Sequence, residues 1–142
     1  MTYFEVPGKP QGKARARVTV RGSRAFAYTP ENTVNYENYI RLCYQQSKHR
    51  KHYVNESLKM TVVAHYPIPQ SWSKRKQEQA RTGQIRPLVK PDLDNVAKVV
   101  ADALNNIAYA DDKQICELIV AKKYGDKAAL YITINEVNNG RC

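Results

Sequence analysis

The chain has 142 residues, 23 of them Lys or Arg and 13 Asp or Glu, giving a formal net charge of +10 at pH 7 with 42% hydrophobic residues. That length suits one domain with a single apolar core and excludes two of ordinary size, and the composition excludes a disordered, collagenous or membrane-spanning chain. No apolar run approaches the roughly 20 residues of a spanning helix, and MTYFEVPGK lacks the basic start and apolar middle of a secretory leader, so a cytoplasmic protein is expected.

TYFEVPG reads as a first strand ended by Pro7 and Gly8, and KPQGKARA as a basic loop. RVTV and RAFAY flank Gly22-Ser23 and are expected to pair as a hairpin. Thr29 before Pro30 suits an N-cap followed by proline at the first helical position. A helix is therefore predicted from about Pro30 to His49, with Val34, Tyr39, Leu42 and Cys43 sharing part of one face. SLKMTVVAHYPI reads as a strand of about eight residues stopped by Pro67 and Pro69. SWSKRKQEQARTG, from Ser71 to Gly83, has the end residues of a helix but almost no apolar face, so it lies exposed or against something acidic. ICELIVAKKYG and AALYITINEV read as two more strands around a turn near Gly125-Asp126. Strands and helices mixed in this order predict one α/β (α+β) domain over residues 1–142, a mixed sheet packed with helices.

Cys43, Cys116 and Cys142 are odd in number and form no CxxC pair, which fits free thiols rather than a disulfide framework or a zinc site. His49, His52 and His65 read as surface or core residues rather than metal ligands.

The positive charge is clustered. Lys9, Lys13, Arg15, Arg17, Arg21 and Arg24 stand together without an acid. A second cluster, Lys74, Arg75, Lys76, Arg81, Arg86 and Lys90, faces only Glu78. Two patches of one sign are the footprint of a protein that neutralises phosphates, and also of a plain solvated surface.

Against that background, Lys90 to Ile115, KPDLDNVAKVVADALNNIAYADDKQI, gathers five of the six aspartates. Val96, Val99, Val100, Ala103, Leu104 and Ile107 recur at helical steps and predict a helix docked on the core, closed near Asn105-Asn106. Asp94, Lys98 and Asp102 fall on its outer side, with Asp92 and Asn95 at its start. Taken singly these are ordinary: Asp92 or Asp94 favours the helix dipole, Lys98 pairs with Asp94, and Asp111-Asp112 forms a turn. Taken together, the carboxylates suit a hard divalent cation such as magnesium. The Asp111-Asp112 loop joins such a site only through tertiary packing, because the helix carries its far end about 20 Å away. No Gly-rich phosphate loop, Ser-His-Asp set or EF-hand loop is present, and metal-assisted phosphodiester hydrolysis uses both the acids and the basic arms.

This acidic segment resembles the signature of the RusA-type Holliday junction resolvases. PGKPQGKARARVTV is similar to that family's basic N-terminal segment, TPENTVNYENYI to its first helix, and PIPQSWSKRKQ to the segment before its acidic motif. The resemblance implies a small nuclease that acts as a homodimer on four-way DNA junctions in recombination and repair, with magnesium, or manganese, as cofactor and a phage or prophage setting. It places metal-binding aspartates at Asp92 and Asp94, the essential lysine at Lys98 and a later acidic ligand at Asp112, with Asp111 as second choice. Hydrolysis by a metal-activated water is then expected, with Lys98 stabilising charge on the phosphate. Lys9, Lys13, Arg15, Arg17, Lys74, Arg75, Lys76 and Lys90 are expected on the DNA backbone, and Trp72 in packing rather than base stacking. A non-catalytic branched-DNA-binding protein and a metal nuclease of wider substrate range are the alternatives.

Overall fold

A computed structural model describes residues 1–14, 16–28, 30–48 and 50–137. The strands are β1 (Thr2–Pro7), β2 (Arg17–Arg21), β3 (Arg24–Tyr28), β4 (Leu58–Pro67), β5 (Ile115–Gly125) and β6 (Ala129–Glu136). The helices are α1 (Glu31–Gln45), α2 (Lys74–Arg81) and α3 (Leu93–Leu104), with a 3-10 turn at Asp112–Gln114.

Four strands form one mixed sheet in the order β1-β6-β4-β5, and β2 and β3 pair as a separate two-stranded ribbon. β4 is central. It runs antiparallel to β6 and parallel to β5, so the chain from β4 to β5 must cross over, and it does so through α2 and α3. Side chains alternate along β4, burying Leu58, Met60, Val62, Ala64 and Tyr66 while Lys59, Thr61, Val63 and His65 stay partly open. The buried face meets α1 and α3, whose Tyr36, Ile40, Tyr44, Val96, Val99, Val100 and Leu104 complete a single core. The result is the small α+β domain that the order of elements predicts.

α3 matches its apolar stripe: Val96, Val99, Val100, Ala103 and Leu104 are buried, and Asn106 adopts φ 65, the left-handed backbone that asparagine tolerates beyond a helix end. Other expectations need correction. α1 is shorter than expected and turns a different face inward. Thr33, Tyr36, Glu37, Ile40 and Tyr44 are buried, whereas Val34, Tyr39 and Leu42 are exposed and Cys43 is half-buried. Its N-cap position is Pro30, which makes no side-chain cap; Thr29 and His49 lie outside the described residues. β4 has 10 residues rather than about eight. α2 is capped by Ser73, whose hydroxyl accepts from the Lys76 N–H at 3.2 Å, and not by Ser71; Gly83 ends it with φ +85 as its type predicts. β5 and β6 follow each other in sequence yet are not neighbours, since β4 lies between them. Cys116, like Cys43, is a free thiol; Cys142 lies outside the described residues. Among the described residues no helix is long and apolar enough to cross a membrane.

Candidate metal and nucleic-acid site

Asp92 occupies the N-cap position of α3, with φ -68 and ψ 154, and its carbonyl accepts the Val96 N–H at 3.1 Å. Its carboxylate accepts no capping hydrogen bond. The ordinary use of an aspartate there is therefore not taken up, and among the described residues the carboxylate has no ion-pair partner in the favourable field of a helix N-terminus. Asp94 stands in the first turn and Lys98 one turn further, both exposed. Lys98 makes no ion pair among the described residues, so the bond to Asp94 that their spacing allows is not formed. Asp92, Asp94, Asn95 and Lys98 line one concavity together with Lys13 and Ala14.

The last two residues arrive from the basic N-terminal loop, which lies across the start of α3. The Lys13 N–H donates to the Asn95 carbonyl at 2.9 Å and the Ala14 N–H to Thr33 Oγ1 at 3.2 Å. Gly12 makes this approach possible: a Cβ there would lie 2.8 Å from Pro91 Cβ and 2.9 Å from Asn95 Cβ. The Lys13 ammonium sits 3.0 Å from Glu37 Oε1 and 3.3 Å from Asp102 Oδ2, tying α1 to α3. Burial works against its charge, but Glu37 and Asp102 outweigh that and hold its pKa above the ordinary lysine value. Lys13 is thus engaged with carboxylates, not directed freely at solvent. Sequence reasoning placed Asp102 on the outer side of α3 without a role and missed Glu37, whose signal is an acid at the Thr33-Glu37-Ile40-Tyr44 buried spacing of α1.

The Asp111-Asp112 pair lies beyond the other end of α3. Asp111 caps the 3-10 turn, its carboxylate accepting the Lys113 N–H at 2.9 Å while Gln114 Oε1 accepts the Asp111 N–H at 3.0 Å. That hydrogen bond from Lys113 holds the Asp111 carboxyl below its usual range. Asp112 uses its backbone N–H, which donates to Asn105 Oδ1 at 3.1 Å, while its exposed carboxylate caps nothing. Slight burial, then a side-chain hydrogen bond with Asp111 and the charges of Asp111 and Asp102, push its pKa up. Among the described residues no three acidic, His or Cys side chains stand close enough to hold a metal ion. Asp92, Asp94, Lys98 and Lys13 line one concavity, and neither Asp111 nor Asp112 is among its lining residues.

Lys9, Arg17, Lys74, Arg75, Lys76 and Lys90 are all exposed, and Arg15 lies outside the described residues. Lys76 Nζ rests 4.1 Å from the centroid of Trp72, and Trp72 meets Tyr124 edge-on at 5.3 Å. Trp72 therefore packs against β5, as expected. Magnesium is commonly held by one or two carboxylates and several waters, and the free carboxylates of Asp92 and Asp94 fit that donor chemistry.

Two carboxylates and two lysines around the start of a helix, framed by exposed basic segments on a small α+β scaffold, are groups of the kind that metal-assisted phosphodiester cleavage uses. The chain belongs to the family described as Endodeoxyribonuclease RusA, which matches residues 7–135. It is also 35% identical over 138 residues to a protein of Bacillus subtilis (strain 168) named "Uncharacterized protein YqaN", covering 95% of this chain and 96% of that one.

Proposed function

We propose that the protein is a divalent-metal-dependent endodeoxyribonuclease that resolves four-way DNA junctions by paired nicks. The observation that carries this reading is the unspent Asp92 carboxylate at the α3 N-cap, sharing one concavity with Asp94, Lys13 and Lys98. Asp92 and Asp94 would hold magnesium or manganese, which when bound supplies positive charge to the phosphate and lowers the pKa of water. Lys98, which makes no ion pair among the described residues, offers its ammonium to a phosphate oxygen as charge builds there. Lys13 keeps α3 in place against α1 and balances Asp102. The exposed lysines and arginines on either side hold the DNA backbone without reading sequence.

A homodimer is part of the same reading, and β5 supports it. This strand is an edge of the sheet, so one row of its backbone groups has no strand partner, and Cys116–Ile119 is exposed, with Leu118 at 49% and Ile119 at 48%. Further along, Lys122 Nζ donates to the Val89 carbonyl at 2.7 Å and Arg86 Nη1 to the Lys122 carbonyl at 3.2 Å. The far end of β5 therefore adjoins the segment that leads into Pro91 and Asp92. Asp112 lies just before the near end. Antiparallel pairing of two copies along this edge would bring Asp112 of one copy toward the Asp92 and Asp94 end of the other, supplying a further acid to that site.

The test is strand cleavage of a synthetic four-way junction with magnesium, against a linear duplex, for the unaltered protein and Asp94→Asn. Symmetric nicks that disappear in Asp94→Asn while junction binding persists are expected. Tight binding without cleavage in magnesium or manganese would instead establish a non-catalytic binding protein, and equal cutting of flaps, RNA hairpins and junctions a nuclease of wider range.

A further inference from the structure

The β2–β3 ribbon carries a feature that phosphate contact alone does not explain. In its register Arg17 opposes Tyr28, Thr19 opposes Phe26 and Arg21 opposes Arg24, while Val18 opposes Ala27 and Val20 opposes Ala25. Directly opposed residues share a face and neighbours along a strand alternate. One face therefore gathers three arginines, Thr19, Phe26 and Tyr28, and the other only valine and alanine. Both rings stand well out of the fold, Phe26 at 47% and Tyr28 at 48% exposed. None of the three arginines makes an ion pair or side-chain hydrogen bond among the described residues. Arg21 opposite Arg24 is a like-charge pair, which weakens a ribbon unless an anion lies over it.

The ribbon is joined in sequence to the strap beside the acidic concavity. Ala14, which lines that concavity, is bonded to Thr33, and the ribbon begins at Arg17 and ends at Tyr28, shortly before α1 starts at Glu31. The ribbon is therefore tethered a few residues from the wall of the concavity that Asp92 and Asp94 line. Phe26 and Tyr28 are two apart on one strand, so their side chains rise about 6.8 Å apart, twice the roughly 3.4 Å step of stacked bases.

We propose that the arginine and aromatic face of the β2–β3 ribbon is a contact surface for unpaired bases at a DNA branch point. Arg17, Arg21 and Arg24 lie on phosphates, and Phe26 and Tyr28 stack on a base that the branch has released. Cations without acids select a polyanion over a protein partner. Flat exposed rings select unstacked bases over an intact duplex, whose bases already stack on one another. The proposal names the substrate feature recognised beside the acidic site and rests on the nuclease reading above.

The experiment measures binding by the full chain without divalent metal, so it does not depend on cleavage. The probes are a four-way DNA junction with 2-aminopurine at the branch, a linear duplex and an RNA hairpin. Phe26→Leu/Tyr28→Leu is expected to weaken junction binding about tenfold or more and to remove the fluorescence change at the branch, with duplex binding and its salt dependence unchanged. Arg21→Gln/Arg24→Gln is expected to weaken junction and duplex alike and to lower the slope of log affinity against log salt by about one to two. Tyr28→Phe, which keeps the ring, should behave as the unaltered protein. Unaltered junction binding and fluorescence in the double leucine variant would overturn the proposal, as would equal losses on junction and duplex. Tighter binding of the RNA hairpin, lost in the same variant, would overturn the assignment to DNA. If the double leucine variant behaves as expected but the unaltered protein never cuts a junction, only the nuclease reading fails.

Discussion

The Lys13 ammonium lies 3.0 Å from the Glu37 carboxylate, and the side chains are only 18% and 8% exposed. Removing the lysine leaves a buried carboxylate with Arg41, 4.0 Å away, as its remaining cation. Lys13→Met is expected to destabilise the protein by about 2 kcal/mol, between the exposed-pair and fully buried-pair limits. Thermal melting should fall by about 6 °C. Lys13→Met/Glu37→Gln, which removes both charges, should recover most of that loss. A double variant as unstable as the sum of the two single ones would show that the pair is not coupled.

Gly12 predicts a second effect on the same strap. With Pro91 Cβ and Asn95 Cβ within 3.0 Å of the position a methyl would take, Gly12→Ala must push the N-terminal loop off the first turn of α3. The expected cost is about 1–3 kcal/mol, read as a lower urea midpoint. Junction nicking should fall more steeply than junction binding, because Lys13 and Ala14 shift away from Asp92 and Asp94. An unchanged midpoint and unchanged nicking would mean that the loop has room to move.

Much of this arrangement is legible from residue order alone, and the exceptions have physical causes. The apolar stripe of α3 is visible because valine, alanine and leucine bury whole side chains, so periodicity and burial coincide. In α1 they diverge: Tyr36 and Tyr44 bury their rings, Glu37 is buried beside a lysine, and Val34 and Leu42 remain outside, so hydrophobicity points to the wrong face. β5 and β6 are adjacent in sequence around a short turn, and adjacency alone does not say whether they pair. Only the sheet shows that β4 intervenes. Asp92, Asp94 and Lys98 share a helix and therefore a place. Lys13 reaches Asp102 from a distant loop, a contact that no local pattern encodes.

His65 should make stability depend on pH. Burial, then the nearby charge of Lys123, holds its pKa below the ordinary 6.5, with Glu5 acting weakly the other way. A depressed histidine pKa means that the unfolded chain binds the proton more readily, so unfolding free energy rises with pH across this window. Stability is therefore retained above about 6.5 and lost as pH falls from there through the folded-state value. Urea midpoints at pH 7 and pH 5 should differ in that direction, and His65→Gln should narrow the difference. An equal pH dependence in His65→Gln would assign it to the carboxylates instead.

The dimeric reading predicts complementation between two inactive variants. Asp94→Asn and Asp112→Asn should each abolish nicking alone. If Asp112 acts in its own chain, mixed dimers remain dead, since every site carries a defect. If Asp112 acts across the dimer, one site of each mixed dimer joins an intact Asp92 and Asp94 to an intact Asp112 of the partner subunit, and the other site collects both defects. Mixing equal amounts under conditions that exchange subunits should then restore about a quarter of the active sites, because half of the dimers are mixed and each has one good site. The restored activity should nick single strands and leave paired nicks rare. Leu118→Lys, placed in the exposed run of β5, should lower the dimer fraction in sedimentation and abolish the rescue. A full exchange of subunits without any rescue would sink the shared site.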